Sequence, residues 1–91
     1  MFLIRRVVGE SMLPVLRQGV VVIGWRLKRP NVGNIVIAKW QGRELIKRVA
    51  DVRPDSYYLV GDNPVASTDS RTYGWLPASA VVAVVVFTLH L

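Results

Sequence analysis

Apolar residues in this chain fall into short β-branched runs closed by explicit turn formers, and that spacing constrains the fold more than any other feature. The runs 2–8, 20–26, 34–40, 43–50, 56–60 and 80–89 read as strands. Between them stand Gln18-Gly19, Pro30-Asn31-Val32-Gly33, Gln41-Gly42, Arg53-Pro54-Asp55 and Gly61-Asp62-Asn63-Pro64, each a loop or turn signal. Gln41-Gly42, with a strand on either side, predicts a tight hairpin. Helix is expected only as a turn around 77–81, and the longest loop, from 61 to about 77, is dense in polar residues. The expected fold is mainly β, a small antiparallel sheet or barrel forming a single domain over 1–91. Length agrees, because a chain of 91 residues buries only about two-thirds of its unfolded surface and holds one module.

Composition removes several function classes. With no cysteine, disulfides, thiolate metal sites and cysteine nucleophiles are excluded, and the single histidine, His90, makes a metal cluster a poor reading. No metal or cofactor is expected. A net charge of +6 admits nucleic acid, anionic lipid or an acidic substrate without choosing among them. The longest uncharged run, 76–91, contains Pro77 and falls short of the about 20 residues a spanning helix needs, so it reads as a buried strand. Residues 2–4 are too short an apolar stretch, and too soon followed by Arg5 and Arg6, for a signal peptide. Met1 directly before the first strand leads to the expectation that these residues are the whole chain.

The serine of Gly9-Glu10-Ser11-Met12 raises the question of chemistry. A hydroxyl is a weak nucleophile until a base accepts its proton. His90 lies at a chain end, where geometry is poorly held. Of the three lysines, Lys28 sits in a basic turn and Lys39 at a strand end. Lys47 differs: alternation along 43–49 places it with Leu45 and Val49, opposite Glu44, Ile46 and Arg48. Desolvation there lowers an amine from about 10.4, and reaching roughly 7 or 8 takes about 3 to 5 kcal/mol. Alternation alone favours the plainer arrangement, in which the ammonium reaches the sheet edge while its stem covers apolar surface. Around Ser11, Gly9 permits a sharp turn and Pro14 biases Leu13 toward extended backbone, so the serine is expected on a constrained loop leaving the first strand.

Three ordered stretches carry a resemblance. Gly-Glu-Ser-Met-Leu-Pro-Val-Leu at 9–16, Leu-Ile-Lys-Arg-Val at 45–49 and Gly-Asp-Asn-Pro-Val-Ala-Ser-Thr-Asp-Ser-Arg-Thr-Tyr-Gly at 61–74 resemble the motif boxes of type I signal peptidases. These are Ser/Lys-dyad peptidases of the S26 class, and the likeness runs from about residue 7 to 86. The first box is shared in outline with the autopeptidase domains of SOS repressors. The resemblance implies Ser11 as nucleophile and Lys47 as general base, with Ser67 as the hydroxyl that orients the lysine. It implies the Ser11 N–H as an oxyanion donor. It also implies Asp69 and Arg71 as a pair bracing the loop, Asp62 and Asn63 as supports, and Val7, Val8, Met12 and Ile46 beside the pocket for the side chains before the scissile bond. Departures are visible: Gly9 stands where some members carry a serine as second oxyanion donor, and Val20 and Asn34 where members often carry Asp. Family members usually carry membrane helices and a larger β insertion, neither evident here. The compact form is more similar to the maturation peptidases of nickel-containing superoxide dismutase.

The function so implied is a serine endopeptidase that removes a leader or propeptide from a precursor protein bound in extended form, with no cofactor. Two readings of other classes stand beside it. One is a catalytically silent β domain that binds or scaffolds. The other is a basic nucleic-acid module built on Arg26, Lys28, Arg29, Arg43, Arg48 and Arg53 with Trp25 and Trp40, although the dispersed basic residues make nucleic acid an unexpected partner. The expected location is the cytoplasm, with peripheral contact to an anionic membrane as the alternative.

Overall fold

Val36, Ile37 and Ala38 follow one another along a single strand, and all three are fully buried. Alternation sends successive side chains to opposite faces, so this strand must be covered on both sides. It is β3 (Ile35–Trp40) of a chain that also forms β1 (Phe2–Arg6), β2 (Val21–Trp25), β4 (Arg43–Arg53), β5 (Ser56–Val60), α1 (Ser70–Tyr73), β6 (Leu76–Pro77) and β7 (Val81–Leu89). The computed structural model describes residues 1–90. Its strands form one seven-stranded sheet in the order β1-β2-β7-β3-β4-β5-β6, and every pairing is antiparallel. The mainly β expectation matches this architecture.

Two cores lie on the two faces. Val36, Ala38, Val49, Leu59, Leu76 and Val84 form the first; Val7, Met12, Leu16, Val22, Ile37 and Ala83 form the second. The sheet curls around the second core. Arg5 on β1 reaches Glu44 on β4 at 2.6 Å, although three strands separate β1 from β4 in the sheet order. β1, β2, β7, β3 and β4 are thus an open barrel with a gap between its first and last strands. Register shifts where β7 meets β2 and β3 and where β4 meets β5, with the extra residue on β7 in the first two and on β4 in the third, are bulges of the kind that let strands bend this way.

The expected strands are present, with ends trimmed by a residue or two. The β3–β4 hairpin turns at Gln41 and Gly42, as its register from Trp40 to Arg43 requires. β4 departs most from expectation, continuing through a bulge near Ala50 to Arg53 and pairing with β5 up to Ser56. The stretch expected to be loop holds more order than its sequence suggests. It contains a 3-10 turn at Pro64–Ala66, α1 with Asp69 at its N-cap, and the two residues of β6. The helical turn expected around 77–81 is the 3-10 turn Ala78–Ala80. No helix among the described residues is long and apolar enough to cross a membrane.

Candidate active site

Lys47 stands on β4 between Leu45, which packs against the first core, and Val49, which belongs to it. Only 5% of its surface is exposed. The ammonium therefore does not reach the sheet edge. Its Nζ donates to Ser67 Oγ at 3.0 Å, and Ser67 follows the 3-10 turn Pro64–Ala66.

Ser67 is held in turn. Its hydroxyl donates to Asp69 Oδ2 at 2.5 Å, so its lone pairs face Lys47. Asp69 is buried and accepts from Gly61 N at 2.7 Å, Arg71 Nη2 at 2.6 Å, and Arg71 Nε and N. Arg71 Nη2 also donates to the Gly61 carbonyl. Side chains thereby continue β5 where strand pairing stops, because β6 pairs only with Ser56 and Tyr57. Leu59 N donates to Ser70 Oγ, and Gly61 N to Asp69.

The Ser11 loop leaves β1 through Gly9, whose φ of +82° disfavours any residue with a Cβ. Its residues 9–16 fold into successive turns, closed by Leu13 N to Glu10 O and Leu16 N to Met12 O. Met12 and Leu16 anchor it in the second core. Asn63 clamps it to the opposite loop: its N–H donates to Ser11 O at 2.8 Å and its Nδ2 to Glu10 O at 3.1 Å. Gly61 lies at the junction of the two loops, where a Cβ would stand 2.6 Å from Ser11 O and from Ser67 Cβ. Only a glycine fits there.

One cleft joins these parts. It occupies the gap between β1 and β4, has a volume of about 400 Å³ and is lined by Val7, Val8, Ser11, Met12, Ile46 and Lys47, among others. Lys47 donates to Ser67 and makes no hydrogen bond to Ser11 in this state. Such contacts often tighten only when substrate is bound. Ser11 N–H, too, has no partner among the described residues.

Electrostatics favour the neutral amine over the ammonium. Burial lowers Lys47 below its ordinary value, with Arg71 and Arg43 adding to the effect and Asp69 opposing it. Burial would raise the Asp69 carboxyl, but hydrogen bonds from Arg71, Gly61 and Ser67 outweigh it and hold the group well below the usual carboxylate range. Lys47 therefore faces a permanent acceptor only through a neutral hydroxyl.

The remaining sequence-derived residues fall in different places. Val7 and Met12 are buried in the second core and form the cleft floor, Ile46 packs beside them, and Val8 is 83% exposed on the rim. Asp62 does not touch Lys47 but takes a bidentate pair from Arg48 at 2.9 and 2.7 Å, on the opposite face of β4. Sequence reading gave Arg43 and Arg48 only a nucleic-acid role, and none to Ser70 or to the lining residues Arg6, Leu45, Ala66, Thr68 and Tyr73. An Asp N-cap signal before Ser70 was legible; the others need the curl of the sheet. The three-or-more clusters of His, Cys, Asp or Glu that hold metals are not found among the described residues.

No curated protein matches this chain. The family model described as Peptidase S24-like matches residues 2–83, a span that includes the Ser11 loop, β4 and the whole Ser67–Arg71 network. By that match the chain is serine-peptidase-like, and it belongs to the Peptidase S24-like family.

Proposed function

We propose that this protein is a Ser/Lys-dyad endopeptidase of the S26, signal-peptidase-like kind that removes a leader or propeptide from a precursor protein. The observation that carries the reading is the buried Lys47 amine, held by Ser67 in the same cleft as Ser11. Neutral Lys47 takes the Ser11 proton as Oγ attacks the scissile carbonyl carbon. The free Ser11 N–H donates to the developing oxyanion, a contact whose loss in comparable sites costs about 3 to 4 kcal/mol. The tetrahedral intermediate collapses, Lys47 gives its proton to the leaving amine, and an acyl ester on Ser11 remains. Water then attacks the ester, its proton passing through Lys47 back to Ser11.

Substrate would bind as an added strand. β5 pairs with β4 only from Arg48 onward, so the Arg43–Lys47 half of β4 keeps one free edge along the cleft, and an extended peptide is the group that fits it. The precursor of nickel-containing superoxide dismutase represents one substrate class and secretory precursors the other. Intact-mass analysis of that precursor and of secretory precursors with Ala-X-Ala signals, each incubated with wild type and Ser11→Ala, separates the two substrate classes. Cleavage of neither would favour the silent-domain reading.

A peripheral contact with anionic membrane has its own support. Ile4, Ile23 and Phe87 are level across β1, β2 and β7, the Phe2 and Trp25 rings pack at a tilt with centroids 4.6 Å apart, and Phe2, Ile4 and Phe87 are 62%, 64% and 56% exposed. Exposed Arg26, Lys28 and Arg29 flank this face. Binding to acidic liposomes should be strong at low salt and fade as salt rises; equal binding to oligonucleotides would instead favour the nucleic-acid reading.

A further inference from the structure

We propose that the cleft holds a subsite for a carboxylate side chain of the substrate, formed by Arg43 at the end remote from Ser11 and by Arg6 on the β1 wall. The inference rests on the peptidase reading above and adds a selectivity to it.

The two arginines line opposite walls of the cleft. Their faces follow from the packing of their neighbours. Leu3 and Val7 pack into the second core, so Arg6 stands on the other side of its strand. On β4, Ile46 packs against the second core and Leu45 against the first, so Arg43 shares the face of Leu45 and Lys47. Both guanidiniums therefore point to the side from which Lys47 approaches the cleft. Their charges are not answered among the described residues. The ion pairs of the described residues are Arg5–Glu44, Arg48–Asp62 and Arg71–Asp69, and neither Arg6 nor Arg43 is in one, although both are exposed. Two carboxylates also line the cleft. Glu44 is on the opposite face and committed to Arg5, and Glu10 adjoins Ser11 at the nucleophile's end.

The spacing gives the selectivity a position. An extended peptide on the free edge of β4 keeps step with it, at about 3.3 Å per residue. The substrate residue level with Arg43 therefore lies about four positions, or roughly 13 Å, from the one level with Lys47. An even separation puts both side chains on one face. Arginine suits the task because its planar fork pairs with carboxylate in two parallel hydrogen bonds. Beyond Lys47 the edge of β4 is filled by β5, so the preference should occur on one side of the scissile bond only.

The test is a library of short alanine- and valine-based peptides carrying single Asp or Lys substitutions at every position. Wild type, Arg43→Glu and Arg6→Glu are incubated with it, and early products are read by mass spectrometry. Wild type should favour Asp over Lys by about tenfold at the position about four residues from the cleaved bond, through KM rather than kcat. Arg43→Glu should reverse that preference there and leave the preferences at the other positions alone, read as ratios within one digest because Arg43 also lowers Lys47 and its reversal slows every cleavage alike. Cleavage without a charge preference, or a preference unmoved in both variants, would overturn the subsite while leaving the peptidase reading intact. Absence of Ser11-dependent cleavage would count against the peptidase reading instead. Fluorescence anisotropy of the same peptides with Ser11→Ala protein then decides the subsite: tighter binding of the Asp peptide, reversed by Arg43→Glu, supports it, and equal binding overturns it.

Discussion

Lys47 Nζ donates to Ser67 Oγ at 3.0 Å across a separation of twenty residues, and this bond ties the strand that buries the amine to the loop that orients it. Because the Ser67 proton is directed to Asp69, Ser67 serves Lys47 as an acceptor. A neutral lysine held this way keeps its lone pair for the Ser11 proton.

Removing either member of the proposed dyad should abolish turnover. Ser11→Ala and Lys47→Ala are each expected to lower kcat by about a thousandfold or more, in line with what a nucleophile and its base supply. Circular dichroism should report an unchanged fold. Ser67→Ala should cost at least about tenfold but less than Lys47→Ala, since it removes only the orienting contact.

The pH profile should rise with pH, because the lowered Lys47 must still lose its proton to act. Neighbouring charges predict how the rising limb moves. Asp69 raises the amine and Arg71 lowers it, so Asp69→Asn should shift the limb to lower pH and Arg71→Met to higher pH. A limb that stays in place in both variants would show that Lys47 is not the group titrating.

Lys47 should cost stability. Its folded value lies below its unfolded value of 10.5, so between the two the unfolded chain binds the extra proton and stability rises with pH. Below that window the charged amine is a standing penalty. Lys47→Met should therefore raise Tm at neutral pH while eliminating activity, as a thermal scan of the two proteins would reveal.

Asp69 has the opposite sign. Its carboxyl is held below its ordinary value of 3.8, so its contribution is complete above that value and is lost as pH falls below it. Asp69→Asn should cost about 1–3 kcal/mol at neutral pH by leaving buried donors poorly matched, and should flatten the acid side of the stability curve.

Gly61→Ala tests the junction of the two loops. The added methyl would stand 2.6 Å from the Ser11 carbonyl, and overpacking of this kind costs about 1–3 kcal/mol. Activity should fall further than stability, because the displaced atoms belong to Ser11 and Ser67. Urea unfolding and kcat on the same variant separate the two effects.

The strands were legible because each is a β-branched run between turn residues, and alternation along β4 correctly put Lys47 with Leu45 and Val49. Alternation could not say whether the ammonium escaped to the edge; that depended on Ser67 arriving from twenty residues away. β6 was hidden because Leu76–Pro77 is too short for a period, and α1 because Ser70–Tyr73 is a single turn held by the Asp69 cap. The cleft itself is a product of curvature. Arg6 and Arg43 come to line one cleft only when bulged strands bring β1 around to β4, a consequence that no local pattern in either strand encodes.

The most direct test of the account is the early-time cleavage of the peptide library by wild type, Ser11→Ala and Lys47→Ala, followed by mass spectrometry with increasing pH. The account predicts products from wild type alone, at a rate that climbs as Lys47 loses its proton. Equal cleavage by either variant, or a wild-type rate already full at pH 5, would contradict it.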